Sequence, residues 1–176
     1  MTGSKGPYIR ESGAMGNMTA LLLVLALASP AAVAADRPSA QAVLNRIANE
    51  GGRKVLWDLW QHEREFGQVT SGIESGDPAW LEVAAALKPF SDAGASLSIN
   101  YAVAHALPKA PERVLALIAR GFKVEDICTS PFIEPDPGVA EAYERRTLAA
   151  LSRMKGAALG SVAAECAAQV RLPDGA

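Results

Sequence analysis

The chain has 176 residues, a formal net charge of −2, 49% hydrophobic residues and only 6% aromatic ones. Balanced charge without a basic block leaves no electrostatic footprint for nucleic acid. Alanine dominates, and because it is the best helix former and is depleted in strands, the composition argues against a sheet-rich domain.

In chain order, the first feature is an apolar run, ALLLVLALA at residues 20–28, followed by Ser29-Pro30 and AAVAAD. An apolar core, a helix breaker and small residues of the A-x-A type read as a signal peptide, with cleavage before Ala35 or Asp36. The run is about nine residues, against the roughly 20 needed to span a bilayer, so no stable membrane anchor is expected after cleavage. The polar residues ahead of it either form a long n-region carrying Lys5 and Arg10, or translation starts at Met15 or Met18 rather than Met1. No cysteine stands at the cleavage site, which excludes a bacterial lipoprotein. The organisation expected is a cleaved segment, 1–35, and a single helical domain, 36–176. Losing Lys5, Arg10 and Glu11 moves the net charge from −2 to −3.

Ser39 after Pro38 is placed to cap a helix over 40–50, which Gly51-Gly52 ends or bends. A second helix is expected from about 53 to 74. Val55, Leu56, Leu59, Trp60, Phe66, Val69 and Ile73 follow the 3.6-residue period, apart from a gap at the third turn. Asp77 before Pro78 is an N-cap followed by proline at the first helical position. It predicts a helix burying Trp80, Leu81, Ala84 and Leu87, stopped by Pro89. Ser91 or Asp92 caps the next helix, with Leu97, Tyr101 and Ala104 as its stripe, extending as far as Leu107, and Pro108 ends it. Pro111 opens another, closed by Gly121. A short helical turn at 124–128 precedes a proline-rich loop. Asp136-Pro137 repeats the cap signal and predicts a helix to about Lys155. A last helix covers 157–170. The openings at Pro78, Pro111 and Pro137 hint at stacked helix pairs. The fold class expected is all-α, a compact bundle of six to seven helices with a short HEAT-like stack as the variant.

Cys128 and Cys166 stand 38 positions apart. Export would place them in an oxidising compartment, where such a pair bonds. Redox pairs usually read C-x-x-C, so a structural disulfide is expected here rather than a redox or metal site.

Catalytic patterns are sparse. HEREF at 62–66 begins like the zinc-protease motif H-E-x-x-H, but Phe66 stands where the second histidine belongs. His105, the one other histidine, lies on another helix. There is no nucleophile elbow, P-loop or dinucleotide fingerprint, so no cofactor is expected. Glu63 and Glu65, two apart on a helix, do not face each other. Trp57 and Trp60 read either as a core stripe or as a partner-binding patch, since tryptophan is enriched in interface anchors. Phe132 and Ile133, in the proline-stiffened SPFIEPDPG loop, are the other candidates for partner binding, unless that loop lies down on its own bundle.

The segments SGDPAWLEVAAALKPFSDAGAS and YAVAHALPKAPERVLAL, with the following Cys128, resemble uncharacterised small exported helical proteins of proteobacteria. The likeness spans roughly residues 53–170 and implies the fold and export, with no catalytic residue to carry over. Taken together, these readings lead to the expectation of a periplasmic or secreted protein that binds another protein, such as an immunity or inhibitor protein. The alternatives are an acid- or metal-dependent hydrolase using His62 and Glu63, and a carrier of a small apolar ligand.

Overall fold

The computed structural model describes residues 37–154 and 157–171. The expected signal peptide and its cleavage site lie outside the described residues. Among these residues there are nine α-helices and no strand. They are α1 (Ala40–Glu50), α2 (Gly52–Gln61), α3 (Glu63–Glu74), α4 (Pro78–Leu87), α5 (Ala93–Ala106), α6 (Pro111–Ala116), α7 (Val124–Ile127), α8 (Val139–Ser152) and α9 (Ala157–Val170). The chain is an all-α bundle. α1 packs on α2 and α4, α3 packs on α5, and α9 meets α6, α7 and α8. Val55, Leu59, Val69, Ile73, Leu87, Ile99 and Leu115 are among the side chains that close on this shared core.

Most helix starts follow from local chemistry. Ser39 Oγ accepts from the Ala42 amide at 3.1 Å. Asp77 Oδ1 accepts from the Ala79 amide at 2.9 Å and the Trp80 amide at 3.4 Å, with Pro78 behind it. These bonds take up amides that the first turn of a helix leaves without an internal partner. The acids of the Asp77–Asp92 stretch therefore include a working helix cap.

Three expectations need correction. The helix expected over 53–74 is two helices that break at His62, whose φ is −118° and ψ 78°. The break falls at the gap in the apolar period, where Glu63 replaces a core residue. His62 Nδ1–H donates to the Asp58 carbonyl at 2.7 Å and so takes up an acceptor at the end of α2. Together with the separate short α7, this split raises the helix number above six or seven.

The second correction concerns Asp136, which is not a cap. α8 begins at Val139, and Gly138, at φ 86°, occupies the N-cap position. A left-handed residue between Pro137 and the helix displaces the Asp136 carboxylate from the first-turn amides. Its backbone carbonyl accepts from the Val139 amide at 3.1 Å instead. Third, Leu97 is 47% exposed and lies outside the buried set of α5, which is Ala95, Ile99, Asn100, Ala102, Val103, Ala104 and Ala106; of the expected stripe, Ala104 is buried.

The Cys128–Cys166 disulfide is formed, with Cα atoms 5.0 Å apart and both residues fully buried. It joins the end of α7 to α9. Closing a loop of this length is worth about 4 kcal/mol by the chain-entropy account. Among the described residues no helix is long and apolar enough to cross a membrane.

Candidate functional site

Two adjoining depressions share Trp60. The first is a groove of about 670 Å³ where the α1–α2 turn faces the start of α5. Leu56, Trp57, Trp60, Phe90 and Ala95 form its apolar surface. Trp57 is 64% exposed, Trp60 43% and Phe90 39%. The core-stripe reading of the two tryptophans fails, because α2 turns Val55, Leu56 and Leu59 inward and leaves the indoles outside.

Glycines seat this aromatic surface. The Phe90 ring lies against Gly52, where a Cβ would collide with it. A Cβ on Gly94 would stand 2.9 Å from the Trp60 ring. Phe90 is held by the short 3₁₀ turn Lys88–Phe90. That turn is pinned by Lys88 Nζ, which donates to Asn100 Oδ1 at 2.8 Å and Ser96 Oγ at 3.1 Å. Burial pulls the Lys88 ammonium below its ordinary pKa, against the opposing pull of Asp126 3.8 Å away.

The rim is charged. Glu50 and Lys54 line the groove, and with Arg46 and Asp58, which do not, they form a chain of ion pairs, including Lys54–Glu50 at 2.7 Å and Arg46–Asp58 at 3.2 Å. The hydrogen bond from Lys54, then that from Arg46, holds the Glu50 carboxyl below its usual range. Arg53 and Asp92 border the same groove.

The second depression is a cleft of about 660 Å³ between α3 and α5. Trp60, Phe66 and Tyr101 provide its aromatic walls, and Glu63, Glu74 and His105 also line it. Burial pulls the His105 imidazole below its ordinary pKa, more than the Glu74 carboxylate raises it. His62 does not line this cleft; its ring is turned to the Asp58 carbonyl. The His62–Glu63 pairing suggested by HEREF is thus divided, with Glu63 sharing the cleft with His105. Among the described residues there is no group of three or more His, Cys, Asp and Glu side chains that could hold a metal ion.

Family models, curated proteins and solved structures were compared with the chain, and none matches.

The loop candidates part company. Phe132 is half-buried and stacks edge-to-face on His105 at 5.0 Å and on Tyr143 at 5.6 Å. It is a packing residue of the bundle, removed from the tryptophan groove, which corrects its reading as a partner anchor. Ile133 is 74% exposed but does not line the groove. Phe90 was missed in the sequence. Its signal was the pairing of a phenylalanine after Pro89 with the Gly51-Gly52 break, which becomes visible only once the two segments are known to touch.

Proposed function

We propose that the protein is an exported binding protein that captures a protein partner through the groove of Trp57, Trp60 and Phe90. The observation that carries this reading is the exposure of Trp57, 64%, beside Trp60 and Phe90 around one apolar depression. Large aromatics left outside a core of otherwise well-buried aliphatics are the composition of an interface anchor. The charged rim suits the polar border that surrounds such anchors. A role as an immunity or inhibitor protein, blocking a toxin or hydrolase, fits this arrangement by analogy of fold. Export is supported by the apolar run at 20–28 with its small-residue flank and by a buried disulfide of the kind kept in oxidising compartments.

Affinity capture from the producing cells, with the purified protein as bait, tests the reading. The wild type is expected to retain a stoichiometric partner. Trp57→Ala and Trp60→Ala, checked for folding by circular dichroism, are expected to weaken capture by about 30-fold, the loss typical of a hot-spot residue. A His62→Gln/His105→Gln double variant is expected to capture as wild type. Undiminished capture by the folded tryptophan variants, or loss in the folded histidine variant, contradicts it.

A further inference from the structure

The α3–α5 cleft adjoins the tryptophan groove and shares Trp60 with it, but its polar lining has a chemistry of its own. Glu63 and Glu74 lie 11 residues apart on α3, three turns that bring them back to one face, about 16 Å apart along the axis. They mark the two ends of the cleft, and Phe66, Thr70 and Tyr101 lie between. Neither carboxylate has an ion pair or hydrogen bond among the described residues. Among the described residues no lysine or arginine lines the cleft. Lys109 donates to the Glu74 backbone carbonyl at 2.6 Å, not to its carboxylate, and lines a different cavity.

The hydroxyls point the same way. Thr70 Oγ1 donates to the Gly67 carbonyl at 3.1 Å, and Ser98 Oγ donates to the Gly94 carbonyl at 3.0 Å. With their hydrogens committed to their own helices, both present only acceptor lone pairs to the cleft. Carboxylates and hydroxyls together make a row of acceptors over aromatic walls. The Tyr101 phenol and the His105 imidazole, which also line the cleft, can donate as well as accept, so the matching ligand donates at its two ends, where it carries positive charge, and is apolar between. Aromatic faces favour both its methylenes and its cations. An extended peptide suits this cleft less well, because its walls are helices whose backbone groups are bonded internally and offer no partners to another backbone.

We infer that the cleft between α3 and α5 binds a linear aliphatic polyamine, with an ammonium at each of Glu63 and Glu74 and the chain lying along Phe66 and Tyr101.

Isothermal titration of the purified protein at physiological salt tests this with spermidine, spermine, the short diamine putrescine and the neutral octane-1,8-diol. Spermidine or spermine is expected to saturate a single site per chain and to bind more tightly than putrescine, with no binding of the diol. Glu63→Gln and Glu74→Gln are each expected to weaken binding about tenfold, the effect of one charge-assisted hydrogen bond. Glu141→Gln, on α8 and outside the cleft, is expected to leave it unchanged. Absence of saturable binding at millimolar polyamine overturns the inference, as does equal loss in Glu141→Gln, which would mean diffuse surface attraction. Tighter binding of a lysine-rich peptide than of spermine overturns the assignment to a free polyamine. The site does not depend on the protein-partner reading. Glu63→Gln and Glu74→Gln that lose polyamine yet keep partner capture separate the two.

Discussion

Tyr143 is the largest fully enclosed side chain of the core, and its hydroxyl donates to the Ala104 carbonyl at 2.9 Å. Burial pushes its pKa up from the ordinary 10 to about 12. Below pH 10 the phenol is neutral in both the folded and the unfolded chain. Between pH 10 and about 12 the unfolded chain ionises while the folded one does not, so stability falls as pH rises through that window. The loss attributable to this residue is on the order of 2–3 kcal/mol. Tyr143→Phe is expected to abolish that part of the alkaline slope. At neutral pH it costs about 1 kcal/mol, the net worth of one hydrogen bond. The Ala104 carbonyl keeps a second donor, the Leu107 amide at 3.0 Å. Lys88, whose pKa is lowered by burial, contributes with the opposite sign near its own titration but is present in both proteins. Urea unfolding of both proteins at pH 8, 10 and 11.5 checks this, and identical slopes would refute it. The single-residue features that escaped the sequence are of this kind. That Trp57 faces water and Phe132 lies between His105 and Tyr143 depends on which neighbours cover them, and side-chain type does not record that.

Helix ends were the most readable elements, because a cap is a local bond between residues two or three apart. Ser39 and Asp77 were read correctly for that reason, and Asp77→Ala is expected to destabilise the protein by about 1 kcal/mol. Urea unfolding measures it. An unchanged midpoint would mean that the bonds to the Ala79 and Trp80 amides are not what starts α4. Asp136 shows the limit of the same rule. Its Asp-Pro pair copies Asp77-Pro78, but Gly138 adds a left-handed residue before the helix, and the carboxylate no longer reaches the amides. The two long helices whose sequence pattern departs from the structure do so for different reasons. α5 is so rich in alanine and other apolar residues that its sequence marks no single face, and packing chose Ile99 and Val103 over Leu97. In α2 and α3 the apolar period was right on both sides of His62, and its gap at Glu63 was the break itself.

At the scale of the molecule, the sequence conveyed the all-α class and the disulfide, and the bundle then decided which surface remained uncovered. α1 covers one side of α2 and α4, α5 covers α3, and no described element covers the Trp57 face. Burying such a tryptophan against a partner is worth on the order of 2–4 kcal/mol, ample to anchor an interface. The most direct test of the aromatic groove as a docking surface is site-specific photocrosslinking in the producing cells. The photoreactive residue replaces Arg53, at the rim, so that Trp57, Trp60 and Phe90 stay intact, with replacement of Glu141 on α8 as the comparison. The account predicts one discrete crosslinked product from position 53, absent from position 141, and lost when Trp57→Ala is added. No product from position 53, or the same products from both positions, would contradict it.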